Sequence, residues 1–249
     1  FKKILEIPDI LTSPSKHCAN SFKSILDREV EIIYSGVDLN RFSFLDNLRL
    51  ELRKKMNYSD EIIQFLFLGR FHPDMGLDKL IEAIPKVIEN NQKVKFILAG
   101  ASGPLVSMAL DFEKENPNYI TILNDIPFEQ ITSLYAAADI VCTPSLDHRA
   151  CMGLTIKEAM ATSLPAIGTN SGGIPEAIIN NETGFIVSHK EDGNIDVTGY
   201  VEAMIKLANS QELRKSMGEN ARLRAEQLFS KEVTVQKTAD VFLRCIPNN

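Results

Sequence analysis

The sequence predicts an α/β protein, with a Rossmann-like, doubly wound parallel sheet followed by C-terminal helices. Two observations carry this prediction. Short apolar runs alternate with segments of helical periodicity through the middle of the chain. The predicted strands are also almost continuously apolar, which is typical of strands buried on both faces of a parallel sheet. Repeated strand–helix units of this length favour a doubly wound domain, in which ligands bind at the carboxyl ends of the strands.

The predicted strands are short, and most are separated by a predicted helix. They cover residues 62–68, 94–99, 119–123, 139–143, 165–168 and 184–187. The intervening helices are predicted over residues 77–88, 105–114, 128–137 and 153–161, and three more over 197–209, 211–228 and 230–246. Pro85 lies inside the first of these helices and is expected to kink or shorten it. In the last helix, Val235, Ala239, Phe242 and Ile246 lie on one face.

The N-terminal residues do not fit the repeating pattern. A strand is predicted over 10–13, a helix over 15–26 and a strand over 31–34. We interpret residues 1–30 as the residual strand and helix of a preceding domain, and residues 31–249 as the Rossmann-like domain. Because the chain begins with Phe1 rather than Met, we expect it to be part of a longer protein.

Composition narrows the class of protein. Hydrophobic residues make up 44% and charged residues 24% of the chain, which is ordinary for a soluble globular protein. The net charge of −6 argues against a nucleic-acid-binding surface. The four cysteines form no C-x-x-C pair and are predicted to be reduced, mostly buried thiols in a cytoplasmic protein. No metal site is predicted.

The segment that begins at Gly153 is the first candidate for chemistry. Gly153 follows a polar loop and opens a helix, so the backbone amides of Gly153, Leu154 and Thr155 would point outward and bind an anion. Glu158 follows about one turn later and is positioned to accept hydrogen bonds from ribose hydroxyls. The alternative is an ordinary helix with an exposed glutamate.

Two other segments are candidates for ligand contact. Arg70 follows Gly69 at the end of a predicted strand, where a guanidinium can pair with a phosphate in bidentate fashion; the alternative is a surface arginine. Gly172 and Gly173 connect a strand to a helix. They either let backbone approach a ligand or provide a turn that needs positive φ values.

Together, the order and spacing of these segments resemble the C-terminal, donor-binding domain of glycosyltransferase family 4, whose members are retaining enzymes of the two-domain GT-B fold. The shared motifs are 34–42, 68–76, 136–141, 153–160, 171–176 and 183–187. The resemblance implies a hexosyltransferase that takes a nucleotide-diphospho-sugar as substrate and requires no metal or other cofactor. It also implies an N-terminal acceptor-binding domain as partner. Whether that domain associates peripherally with a membrane is left open. Without that domain, we expect this chain to be inactive.

The resemblance assigns roles to individual residues. Arg70 matches the arginine that holds the donor diphosphate, and Glu158 matches the ribose-binding carboxylate, so these are the predicted catalytic residues. The remaining predicted donor-site residues are Gly69, Gly153, Leu154 and Thr155.

The chain departs from the family at two charged positions. Met75 stands where the family has a phosphate-binding lysine, and Ala150 where it has a sugar-contacting glutamate. Arg149 is the predicted source of compensating charge. These departures keep a second hypothesis open, a catalytically degenerate glycosyltransferase-like binding or scaffold module. A third, a changed reaction such as epimerisation or phosphorolysis, lacks identifiable acid–base residues.

Overall fold

The computed structural model describes residues 6–23, 25, 27–100 and 102–246. A six-stranded parallel sheet has the order β5-β4-β3-β6-β7-β8. Its strands are β3 (Ile63–Leu68), β4 (Val94–Gly100), β5 (Ile120–Asn124), β6 (Ile140–Thr143), β7 (Ala166–Thr169) and β8 (Gly184–Val187). The order runs outward from the β3–β6 pair in both directions, so the topological switch point lies between these two strands. The predicted doubly wound fold is confirmed.

Helices connect the strands and close the chain. They are α1 (Lys16–Asn20), α2 (Asp46–Lys55), α3 (Leu77–Asn90), α4 (Val106–Glu115), α5 (Ile131–Ala137), α6 (Leu154–Ala161), α7 (Ile174–Ala177), α8 (Val197–Asn209), α9 (Gln211–Arg224) and α10 (Lys231–Cys245). A π-helical turn at Ala225–Phe229 joins α9 to α10. Among the described residues, no helix combines the length and apolarity needed to cross a membrane.

The core has one apolar layer on each face of the sheet. Phe65 and Phe67 belong to the layer beneath α3 and α8, whereas Leu66 belongs to the layer beneath α5 and α6. All three side chains are at most 2% exposed. Because successive strand residues point to opposite faces, a strand covered on both faces is apolar at most positions, as β3 is at all but Gln64. This burial explains the continuous apolar runs in the sequence.

Pro85 was expected to kink or shorten α3, and the helix is not shortened. The helix continues beyond Pro85 to Asn90. Leu80, Ile84 and Val87 are at most 1% exposed and hold this helix on the sheet. Burial of three large side chains contributes several kcal/mol at about 1.5–3 kcal/mol each, which offsets the missing backbone hydrogen bond.

Helix α2 was not predicted, and an ion-pair network attaches it to the sheet. Asp139, at the start of β6, accepts hydrogen bonds from Arg49 Nη2 at 2.7 Å and Arg53 Nη1 at 3.3 Å. It also accepts from the backbone amide of Gln64 in β3, at 2.7 Å. Arg53 is 2% exposed, and its Nη2 donates to the carbonyl oxygens of Ser59 and Ile62. A buried guanidinium is therefore neutralised by one carboxylate.

The N-terminal residues form a small separate sheet, in which β1 (Leu11–Ser13) and β2 (Val30–Ile32) pair in parallel. Helix α1 ends at Asn20, so the prediction of a helix over 15–26 is wrong beyond that residue. Residues 24 and 26 of that helix lie outside the described residues. So do residues 1–5 of the segment predicted over 1–30. Ser21 Oγ donates to the His17 carbonyl oxygen, a side-chain bond that competes with helix propagation.

The chain after β2 is bonded to the start of α10. Val37 and Ser230 form a parallel bridge, in which the Val37 amide donates to the Phe229 carbonyl at 2.7 Å and the Lys231 amide donates to the Val37 carbonyl at 3.0 Å. Thr234 Oγ1 donates to the Tyr34 carbonyl at 2.7 Å. The apolar face predicted on α10 is in solvent, with Val235 and Phe242 each about two-thirds exposed.

The prediction of four reduced cysteines is wrong, because Cys18 and Cys151 form a disulfide. Their sulfurs meet because α1 packs against the loop after β6, a contact between residues 133 positions apart in the chain. Cys142 is a buried free thiol, and burial raises its pKa to about 12. Cys245 is a free thiol at the surface.

Candidate functional site

Three loops meet at the carboxyl ends of β3, β6 and β7, beside the switch point. The loops after β3 and β6 are joined by the Leu146 amide, which donates to the Asp74 carbonyl at 2.8 Å. The loops after β6 and β7 are joined by the Gly173 amide, which donates to the Ala150 carbonyl at 2.9 Å. The topology thus brings the candidate segments around Arg70, Gly153 and Gly172 to one edge of the sheet.

The Gly172–Gly173 turn supports the loop after β6. Gly172 has a φ of +52°, which favours glycine. A Cβ on Gly173 would lie 1.3 Å from the Cys151 carbonyl oxygen, so backbone occupies the space beside this glycine. The interpretation as a turn with positive φ therefore holds for Gly172, whereas Gly173 has a φ of −88°.

The first turn of α6 is open to solvent. Gly153 is its N-cap residue, with a φ of +69°, and a Cβ placed there would meet no atom within 4 Å. The helix has no side-chain N-cap hydrogen bond, and Leu154 is 55% exposed. Thr155 is turned inward, with Oγ1 3.4 Å from the Leu68 carbonyl oxygen at the end of β3. Unpaired amides at a helix N-terminus carry partial positive charge and bind anions.

Glu158 is half-buried one turn into α6, so the alternative of an exposed surface glutamate does not describe it. Tyr135 Oη, on the buried face of α5, donates to Glu158 Oε2 at 2.8 Å. Burial raises the pKa of Glu158, while this hydrogen bond and the charge of Arg41 oppose the shift. Tyr135 was not among the predicted site residues, although a tyrosine among the alanines of a predicted helix is a signal of such a role.

Charged side chains lie on the loops after β3 and β6. Arg70 is exposed directly after β3. Arg149 is 84% exposed, with Nε 3.1 Å from Asp147 Oδ1 and Nη2 3.9 Å from Asp74 Oδ2. The Arg149 amide and, less strongly, the Arg149 and Arg70 charges lower the pKa of Asp147. Arg149 therefore lies between the loops that follow β6 and β3.

Met75 and Ala150, the two positions that depart from the family, have apolar side chains in different surroundings. Met75 packs on the core, and its Cε lies 3.0 Å from the position of a Cβ on Gly69. Ala150 is half-buried, and its carbonyl is bonded to the Gly173 amide. Neither side chain supplies charge. Within the described ranges, no group of three His, Cys, Asp or Glu side chains is arranged to hold a metal ion.

Lys157, next to Glu158 in sequence, lies on a different face of α6. Its side chain is 3% exposed, and Nζ donates to the Ser35 carbonyl at 2.9 Å. Burial lowers its pKa from the ordinary 10.5 to about 8. Adjacent helix positions point about 100° apart, which explains why the two neighbours have different surroundings.

We expect Lys157→Met to stabilise the protein below pH 8. Because the pKa of Lys157 is about 8 in the folded state and 10.5 unfolded, the unfolded state binds more protons between these values, and parent stability rises with pH there. The full charge penalty below pH 8 is about 3 kcal/mol. Lys157→Met removes this penalty but also loses the hydrogen bond to Ser35. The net gain in the free energy of unfolding is therefore about 1–2 kcal/mol at pH 6.

Urea unfolding between pH 6 and pH 10 measures this effect. The gain should shrink as pH rises through 8 to 10. Lys86→Met, at an exposed position of α3, is the matched control and should show no such pH dependence. A gain or loss for Lys157→Met that is constant across this range would contradict the prediction.

Glu176 connects the N-terminal segment to the site. Its carboxylate accepts hydrogen bonds from the backbone amides of Lys16 at 2.8 Å and His17 at 2.7 Å. His17 Nε2 lies 2.6 Å from the carbonyl oxygen of His148, in the loop after β6. Glu176 belongs to the shared motif 171–176 but was assigned no role from sequence. In the structure, its carboxylate is bound to the start of α1.

Solved structures share this architecture. Sucrose-phosphate synthase from Thermosynechococcus elongatus superposes with a TM-score of 0.83 at 21% identity, over 98% of this chain and 60% of that chain. HepE from Anabaena, solved in complex with UDP-glucose, superposes with a TM-score of 0.81 at 20% identity, over 94% of this chain and 64% of that chain. The fold is that of the GT-B glycosyltransferases.

Sequence comparison gives the family. The family described as "Glycosyl transferases group 1" matches residues 49–224, and the chain belongs to it. The capsular polysaccharide biosynthesis glycosyltransferase CapM of Staphylococcus aureus is 28% identical over 84% of this chain and 52% of its own length. N-acetyl-alpha-D-glucosaminyl L-malate synthase of Bacillus anthracis is 25% identical over 96% of this chain and 60% of its own length. The chain thus spans a little over half the length of these relatives.

Proposed function

We infer that this chain is the donor-binding domain of a retaining glycosyltransferase of family 4, which transfers a hexose from a nucleotide-diphospho-sugar to an acceptor. The observation that carries the inference is the open N-terminus of α6 at the switch point, with the half-buried Glu158 one turn further along. Relatives support the substrate class. HepE was solved with UDP-glucose, and a 28% identical relative from Corynebacterium glutamicum is a GDP-mannose-dependent mannosyltransferase.

The proposed roles follow from the position and charge of each group. Arg70 and the amides of Gly153, Leu154 and Thr155 bind the diphosphate and stabilise the charge that develops as it leaves. Gly69, which lacks a side chain, lets the diphosphate approach β3. Glu158 accepts hydrogen bonds from the ribose hydroxyls. These groups supply the positive charge themselves, so the proposal requires no metal ion or other cofactor.

Transfer with retention places the acceptor on the same face of the sugar as the departing diphosphate. The acceptor oxygen bonds to the anomeric carbon as the bond from that carbon to the phosphate oxygen breaks. The acceptor proton passes to the leaving diphosphate, and the electron pair of the broken bond stays on it. Arg70 and the α6 amides stabilise the negative charge that develops on the phosphate oxygen of the leaving group.

Arg149 is proposed to replace the charge that Met75 does not supply. It lies between the loops after β3 and β6, and its contacts with Asp74 and Asp147 are exposed. Exposed ion pairs contribute little to stability, so Arg149 can exchange these carboxylates for a diphosphate at small cost.

A preceding domain is proposed to bind the acceptor. Residues 1–30 are assigned to it and residues 31–249 to the donor domain. The β1–β2 sheet crosses this boundary, since β2 covers Val30–Ile32, and three-residue strands in a two-stranded sheet are too short to be stable alone. Without acceptor binding, the present chain is expected to bind donor but not to transfer it.

A second candidate function is a degenerate, donor-binding module without catalysis, which the loss of charge at Met75 and Ala150 favours. The two candidates differ in a single measurement on the complete protein. Release of nucleoside diphosphate that depends on an acceptor, across a panel of nucleotide sugars, supports the enzyme; donor binding without turnover across that panel supports the module.

We expect Arg70→Ala to lower turnover of the complete protein at least tenfold, because about 1.4 kcal/mol or more of transition-state stabilisation is lost. The rate of nucleoside diphosphate release with the cognate donor measures it. Lys215→Ala, at an exposed position of α9, controls for the loss of one surface charge. Turnover that Arg70→Ala leaves unchanged would remove Arg70 from the proposed mechanism.

A further inference from the structure

A covalent bond ties the N-terminal segment to the loop that carries the proposed diphosphate contacts. The Cys18–Cys151 disulfide joins α1 to this loop, with the two Cα atoms 5.9 Å apart. Cys151 is two residues from Arg149 and two from Gly153. The bond therefore lies midway between two groups that the proposed function places on the diphosphate.

The disulfide is one of several contacts at this interface. Glu176 binds the backbone amides at the start of α1, and His17 Nε2 lies within hydrogen-bonding distance of the His148 carbonyl. These contacts hold α1 against both α7 and the loop. The disulfide is therefore the covalent part of a larger contact between the N-terminal segment and the loop.

Near Arg149, the loop backbone is also restrained within itself, since the Arg149 amide donates to Asp147 Oδ1 at 2.9 Å and the Ala150 amide to the Asp147 carbonyl at 3.1 Å. Its carbonyl oxygens at Ala150 and Cys151 rest on the Gly172–Gly173 turn, which supports one side of the backbone. On the exposed side, the contacts of Arg149 with Asp147 and Asp74 are accessible to water and contribute little. On the side of the loop that faces α1, the disulfide is the covalent restraint, beside the contact of His17 Nε2 with the His148 carbonyl.

We propose that the Cys18–Cys151 disulfide positions residues 149–153 for the donor diphosphate, and that its reduction lowers donor affinity. The proposal rests on the proposed function, since it concerns the same site. Both cysteines are half-buried, so a small thiol can reach them. Misplacement of a binding loop by about 1 Å is enough to weaken a contact that depends on orientation.

The redox step is a thiol–disulfide exchange with a small dithiol such as dithiothreitol. One thiolate of the reagent attacks a sulfur of the disulfide, and the second thiol then releases the mixed disulfide by closing a ring. Two electrons and two protons pass to the protein, which gains two thiols, while the reagent becomes a cyclic disulfide. Oxidised glutathione reverses the step by the same chemistry.

The test is calorimetric titration of the complete protein with UDP and with GDP, before and after treatment with dithiothreitol. We expect reduction to weaken binding about tenfold, a difference of about 1.4 kcal/mol, and oxidised glutathione to restore it. Cys18→Ser should bind like the reduced parent and should not respond to either reagent. Cys245→Ser, which removes an exposed free thiol, should keep the full response.

Two further readouts separate positioning from general destabilisation. With an active donor, reduction should raise the donor KM and leave the acceptor KM unchanged. Circular dichroism of the reduced parent should match that of the oxidised parent. Equal affinity in the two redox states, or loss of the folded spectrum on reduction, would overturn the proposal. If neither redox state binds a nucleoside diphosphate, the proposed function itself fails.

Discussion

Asp139→Ala is expected to lower the free energy of unfolding by about 3–5 kcal/mol, the usual cost of leaving one member of a buried ion pair unpaired. Arg53 is 2% exposed, and Asp139 is the carboxylate that faces it and Arg49. Burial already lowers the pKa of Arg53, which shows that its charged form is held at a cost. Without Asp139, the amide of Gln64 also loses its acceptor.

Urea unfolding at pH 7 measures the loss. Glu61→Ala breaks the exposed Glu61–Lys93 pair, whose atoms are also 2.7 Å apart, and should leave the unfolding curve unchanged. Asp139→Ala combined with Arg53→Met should be more stable than Asp139→Ala alone, because the unpaired charge has been removed. An Asp139→Ala curve that coincides with the parent curve would show that the network does not hold α2 to the sheet.

Glu158→Ala is expected to weaken binding of a nucleoside diphosphate about 10- to 100-fold, since hydrogen bonds to a charged group contribute about 1.5–3 kcal/mol. The complete protein should also lose its preference for ribose over 2′-deoxyribose or 3′-deoxyribose, because the carboxylate is the proposed acceptor for those hydroxyls. Calorimetry with matched ribo- and deoxynucleotides measures both effects.

Tyr135→Phe is the matched control, because it removes the 2.8 Å hydrogen bond but keeps the carboxylate. It should weaken binding less than Glu158→Ala and keep the preference for ribose.

Since the pKa of Glu158 is raised by burial, the affinity of the parent protein for a nucleoside diphosphate should start to fall, as pH is lowered, at a higher pH than an ordinary glutamate would give. A Glu158→Ala protein that still discriminates against deoxyribose would exclude Glu158 as the ribose contact.

The strands were predictable because each depends on local composition. The run Ile63–Leu68 is apolar except for Gln64, which is typical of a short strand covered on both faces. Helix α2 was not predictable in the same way. Its sequence is mostly polar, and its attachment depends on Asp139, which is more than 80 residues away along the chain. The sequence left open whether Pro85 would kink or shorten α3, because it does not show how deeply α3 is buried.

The candidate site was predictable to the level of which loops meet, and no further. Parallel topology brings the residues after β3 and β6 together, so Arg70 and Gly153 were expected at one edge of the sheet. The hydrogen bond from Tyr135 to Glu158 and the disulfide between Cys18 and Cys151 depend on side-chain packing between distant elements. Cysteine spacing alone does not specify a pairing across so long a separation.

The parallel bridge between Val37 and Ser230 also determines how the domain responds to force. A pull on residue 30 toward the N-terminus and on residue 245 toward the C-terminus would act along the bridge rather than across it. The bonds of Val37, Lys231 and Thr234 would then share the load and would have to break together. Residues 34–37 and the first turn of α10 therefore form one mechanical unit, which is joined to α6 through the hydrogen bond between Lys157 and Ser35.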